Sequence, residues 1–125
     1  MHPEKFKQVA RLPSAERHAY FVRKVADTQE VWGLQHGGWA TAQAGGKVAI
    51  PFWPEAAFAQ ACASGEWEHF QPRAIALGDF LAKWLPGMAI NDQLASVFSV
   101  PQCGASIVAP ADLLRDLQHE SEQYE

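Results

Sequence analysis

Residues 47–64 read KVAIPFWPEAAFAQACAS, an apolar strand signal that runs through Pro51-Phe52-Trp53-Pro54 straight into an alanine-rich helix signal. Val48, Ile50 and Phe52 alternate with Ala49 and Pro51, so a strand here sets its bulky side chains on one face. Pro51 has no N–H to offer a ladder and belongs at an edge or at the strand's end. Pro54 has φ preset for a first helical turn, Glu55 suits the positive end of a helix dipole, and Gly65 marks a stop. A helix over 54–64 is predicted, with Phe58, Ala61 and Cys62 on its inward face and alanines that allow close approach to a sheet. The rest of the chain is expected to pack around this corner.

Before it, residues 2–11 read as a short helix with Phe6, Val9 and Ala10 on one side, ended ahead of Pro13. Ser14 is placed to cap a second helix over 15–26. There His18, Phe21, Val22 and Val25 form an inward stripe, while Arg17, Arg23 and Lys24 are assigned to the surface. From 28 to 53 only Glu30 and Lys47 are charged and five of nine glycines occur, which predicts three short strands over 30–35, 39–44 and 47–52. Turns at His36-Gly37-Gly38 and Gly45-Gly46 would join them into an antiparallel meander.

Beyond the corner a brief strand is expected over 73–77. A helix over 79–85 follows, with Phe80, Leu81, Trp84 and Leu85 inward and Pro86-Gly87 stopping it. Strands over 94–100 and 105–109 flank a turn at 101–104, and Pro110 opens a last helix with Leu113, Leu114 and Leu117 inward. The expected fold is one α+β domain over 1–125. Its sheet is mostly antiparallel, a meander plus a C-terminal hairpin, with helices mainly on one face. Basic N-terminal helices occupy 1–27, the body 28–118, and an acidic tail expected to fray 119–125.

Composition narrows the function classes. Hydrophobic residues make up 48% of the chain and charged residues 19%, and five tryptophans supply a large apolar payload, so a substantial core is expected. Early charges at Glu4, Lys5, Lys7 and Arg11 leave no secretory signal, and no window has the length of a membrane span. Two cysteines imply no disulfide framework, and a cytoplasmic location is expected. Net charge is −4, divided as +3 over 1–27 and −7 over 28–125, so the basic helices are expected to dock on the acidic body, the alternative being a basic arm that meets an acidic partner. Nucleic acid is not an expected partner, because the aromatics lie mostly outside the basic segment.

The order of Arg17 with Tyr20-Phe21-Val22, Val31-Trp32, Trp39, Trp53-Pro54 ahead of an alanine-rich helix, Trp67, Phe80 to Leu85, Pro101 and Pro110 covers nearly the whole chain. In this it resembles an uncharacterised bacterial family, domain of unknown function 2750. The resemblance implies a small single α+β domain and carries no activity with it.

Three function classes follow from the residues. The leading one is a protein-interaction module, pairing with a protein partner or a second copy through the low-charge meander. The alternative is a small-ligand binder with Trp32, Trp39, Trp53 and Trp67 lining an apolar pocket. The third is an enzyme using Cys103 in Pro101-Gln102-Cys103-Gly104 with His36 or His69 as base, for which sequence supplies no distance. Glu66-Trp67-Glu68-His69 offers carboxylates and an imidazole, but a metal site needs three or four converging ligands. No cofactor and no metal are assigned.

Overall fold

The computed structural model describes residues 3–101 and 104–122. The elements run α1 (Pro3–Ala10), α2 (Ser14–Thr28), β1 (Glu30–Gln35), β2 (Ala42–Ala44), β3 (Lys47–Phe52), α3 (Ala56–Ala61), β4 (Gln71–Ala76), α4 (Leu77–Asp79), α5 (Leu85–Ile90), β5 (Leu94–Val100), β6 (Gly104–Val108) and α6 (Pro110–Glu122). A 3₁₀ turn occupies Gly65–Trp67, and a π-helical turn, Phe80–Trp84, joins α4 to α5. The chain is a single α+β domain, rich in antiparallel pairing, as expected.

The sheet is not the expected meander. β1 leaves its sequence neighbour and pairs antiparallel with β4, while a second sheet runs β2-β3-β5-β6 with β3 and β5 parallel at its centre. The reason lies in the turn chemistry. Gly45 and Gly46 both adopt positive φ and close a tight hairpin between β2 and β3. The His36-Gly37-Gly38 turn closes only one bridge, Gln35 to Trp39, after which Trp39-Ala40-Thr41 departs from β1. The strand expected over 39–44 therefore shortens to Ala42–Ala44. Two hydrogen bonds between the Trp32 and Trp53 backbones, of 2.9 and 2.8 Å, stitch the two sheets together.

Pro51 sits past the last β2–β3 pair, Ala42 with Ala49, at the strand's end that its missing N–H requires. Glu55 is the N-cap residue of α3, which is shorter than the helix expected over 54–64. Its carboxylate does not cap the helix because Tyr20 donates to it at 2.8 Å and the Lys24 ammonium lies at 3.7 Å. These contacts, with His18 Nε2 to Asp116 Oδ2 at 3.0 Å, dock the basic second helix on the acidic body.

Four local expectations change. Ser14 is the first helical residue of α2, with Pro13 at the N-cap and no side-chain cap bond. Pro86-Gly87 does not stop the helix begun at Leu77. The wide turn over Phe80–Trp84, closed by the Leu85 N–H on the Phe80 carbonyl, relieves the clash a proline ring makes with the carbonyl four residues back. α6 continues through Glu122, into the segment expected to fray. Arg17, assigned to the surface, is 3% exposed and lies with Phe21, Val22 and Val25 on the buried side of α2. Among the described residues no helix is long and apolar enough to cross a membrane.

Candidate functional site

β5 contains an irregularity that the chain takes trouble to hold. Between the pairs Val97–Ser106 and Val100–Gly104, β5 has one residue more than β6, a β-bulge. Within it Phe98 has φ +55, a left-handed conformation that costs a residue with Cβ roughly 1 to 3 kcal/mol. Packing compensates: the fully buried Phe98 ring lies against Phe58, with centroids 4.7 Å apart, and against Tyr20 at 5.8 Å.

Buried donors then reach the carbonyls in and around the bulge. Arg17 Nε donates to the Phe98 carbonyl at 3.3 Å, Nη2 to Gly104 at 3.0 Å and Nη1 to Leu12 at 2.8 Å. One guanidinium thus ties the α1–α2 connection to the bulge and to the start of β6, using a fork of donors that no other side chain has. The next carbonyl, Ser99, accepts from Trp53 Nε1 at 2.8 Å and from the Cys62 thiol at 3.3 Å.

The bulge turns the end of β5 toward a cleft of about 390 Å³ lined by Cys62, Ser64, Glu66, Trp67, Ser99, Val100, Pro101 and Gly104. The organising corner supplies its other wall, since β3 feeds α3 and the 3₁₀ turn that carry Cys62 and Trp67. β3 and β5 are parallel and both end here, so the cleft lies beyond the carboxyl ends of a parallel pair, where α/β sheets commonly bind ligands. Trp67 packs edge-on against buried Trp53 with ring centroids 6.3 Å apart. Glu66 brings an exposed carboxylate.

The four tryptophans read from sequence are not gathered around one pocket among the described clefts. Trp53 is fully buried, Trp67 lines the cleft, and Trp32 meets Trp53 through its backbone. Trp39 stacks edge-on against Trp84 at 4.9 Å. Cys103 lies outside the described residues. Burial pushes the thiol of Cys62 up from its ordinary value, which keeps it protonated and makes it a poor nucleophile at neutral pH. His36 and His69 do come together, with ring centroids 6.2 Å apart, beside a separate concavity.

Sequence reading missed Arg17, Phe98, Ser99 and Glu66 as parts of one site. A signal for Arg17 was present: it stands four and eight residues before Phe21 and Val25, on the apolar stripe itself. No local signal marks Phe98, because its conformation is imposed by the packing around it.

No curated protein matches this sequence. A family model does match, over residues 18–117, from the second helix through the last. The chain therefore belongs to the family described as "Protein of unknown function (DUF2750)".

Proposed function

We propose that this protein is a small-molecule-binding domain whose ligand occupies the cleft beside Trp67. The observation that carries the reading is the bulge at Phe98 and Ser99: Phe98 is held left-handed in a strand interior with its carbonyl on Arg17, and Ser99, which lines the cleft, has its carbonyl held by Trp53 and Cys62. Strain of this kind, and bulges of this kind, gather at sites where a backbone must be aimed. The indole of Trp67 and the carboxylate of Glu66 favour a compact ligand with a flat or apolar body and a cationic or hydrogen-bond-donating group. A cytoplasmic setting, supported by composition, goes with this reading.

The test is a ligand search by saturation-transfer NMR and thermal shift over small organic cations and neutral aromatic metabolites, with mass spectrometry of the natively purified protein. A true ligand changes Trp67 fluorescence, loses affinity in Glu66→Gln and is excluded by Ser64→Trp, which fills the cleft from an exposed position. If no compound binds, or binding survives Ser64→Trp unchanged, the reading fails.

A second reading, association with another protein or a second copy, is supported by one observation. β6 is an uncharged outer strand of the four-stranded sheet, and its Ile107 is 45% exposed. The low-charge stretch over 28–53 supports it less, since β1 is covered by β4 and β3 lies between β2 and β5. A sedimentation measurement that finds a dimer, lost on Ile107→Lys, would favour association.

A further inference from the structure

The antiparallel pairing of β1 with β4 sets Gln35 opposite Gln71 and Gly33 opposite Arg73. Directly paired residues share a face and so do alternate residues along a strand, so Gln35, Gln71 and Arg73 stand on one face of the ribbon. Two imidazoles join them at its end. β1 runs directly into His36, which turns back through its N–H on the Gly38 carbonyl at 2.9 Å, with Gly37 at φ +70. His69 stands two residues before β4 begins, and Phe70 packs against the His36 ring at 5.6 Å.

Gln35, His36, His69, Gln71, Pro72 and Arg73 line a concavity of about 230 Å³ that shares no residue with the cleft beside Trp67. Its donors are a permanent guanidinium, two amides and two imidazoles. Among the described residues no carboxylate lines it. Glu68 stands at the rim, with Oε1 3.3 Å from His69 Nε2. In a chain of net charge −4 this is a local gathering of positive and hydrogen-donating groups.

We infer that this end of the β1–β4 ribbon is an anion site for a small phosphorylated molecule, held through its tetrahedral phosphate by Arg73, His36 and His69. Arg73 presents the fork that matches phosphate oxygens, and donors arriving from two strands and a turn suit a tetrahedral oxyanion better than a flat carboxylate. A metal ion fits less well, because a guanidinium shares the concavity and no group of three ligating side chains forms among the described residues. Glu68 competes with the anion for His69.

The experiment is NMR observation of the imidazole Hε1 signals of the intact protein during titration with inorganic phosphate at constant ionic strength, with acetate as the planar comparison. His36 and His69 signals are expected to move saturably with phosphate and little with acetate. Arg73→Gln, at an exposed position, should weaken phosphate binding by about tenfold or more, the loss of one charge-assisted hydrogen bond. Glu68→Gln should tighten it about twofold. Unmoved imidazole signals, an equal response to acetate, or unchanged affinity in Arg73→Gln would each overturn the site, as would signals that move with zinc and not with phosphate.

Discussion

Arg17 donates to three backbone carbonyls, those of Phe98, Gly104 and Leu12. Removing it in Arg17→Met takes the donor from one buried acceptor, Phe98, and from two part-buried ones, and a loss of about 3 kcal/mol is expected in chemical denaturation. Arg17→Lys should not recover most of it, since a single ammonium cannot span three acceptors set around a planar fork. Trp53 combines full burial with a 2.8 Å hydrogen bond to Ser99, so Trp53→Ala should cost about 3 to 5 kcal/mol. Trp53→Phe keeps most of the volume but strands the Ser99 carbonyl with only the weak Cys62 donor, and about 1 to 3 kcal/mol is expected. A change within about 0.5 kcal/mol for either tryptophan variant, as at surface positions, would remove the corner from the core.

At the scale of elements, β1 depends on a missing side chain. A Cβ built on Gly33 meets the Trp39 ring at 2.9 Å, so Gly33 is the place where Trp39 crosses β1 to reach Trp84. Gly33→Ala should force the indole away and cost about 1 to 3 kcal/mol, with a shift in tryptophan fluorescence that Gly78→Ala, in open space, does not show. An unshifted spectrum in Gly33→Ala would mean that Trp39 relaxes at no cost. The helix interrupted by the π-helical turn is the counterpart on the other side of Trp84. Phe80 and Trp84 both pack on Phe52, so the widened turn keeps the aromatic face of the helix on the sheet while admitting Pro86.

Across the whole molecule, two weak acids, the buried Cys62 and the half-buried Tyr20, predict the alkaline limit of stability. Burial raises the Cys62 thiol, and burial together with the hydrogen bond to Glu55 raises the Tyr20 phenol. Each folded-state value lies above the unfolded one, so the neutral form is favoured in the fold. Stability from these groups is complete below the unfolded values, about 8.5 for Cys and about 10 for Tyr, and is lost as pH climbs above them toward the folded values. Denaturation midpoints should therefore hold level near neutrality and fall above about pH 9. Cys62→Ala should flatten the first part of that fall and Tyr20→Phe the later part; parallel curves for all three proteins would show that neither group is responsible.

The corner over 47–64, the inward stripes of the second and last helices, and the strand at 94–100 could be read directly from sequence, because period and breaker residues act locally on the backbone. The same local signals marked the two glycine turns but did not reveal which hairpin would persist. Nor did they reveal that β1 would pair with β4, a strand some forty residues away in sequence. The candidate site was least legible for the same reason. Arg17, Trp53, Cys62 and Phe98 meet across separations of up to 81 residues, and the left-handed turn at Phe98 is stabilised by groups that have no periodic relation to it. Local chemistry along the chain determined the α+β class, most of the elements and their apolar faces. Only the tertiary structure decided strand order, the burial of Arg17 and the cleft, because these rest on contacts whose energy exists only after distant segments have packed.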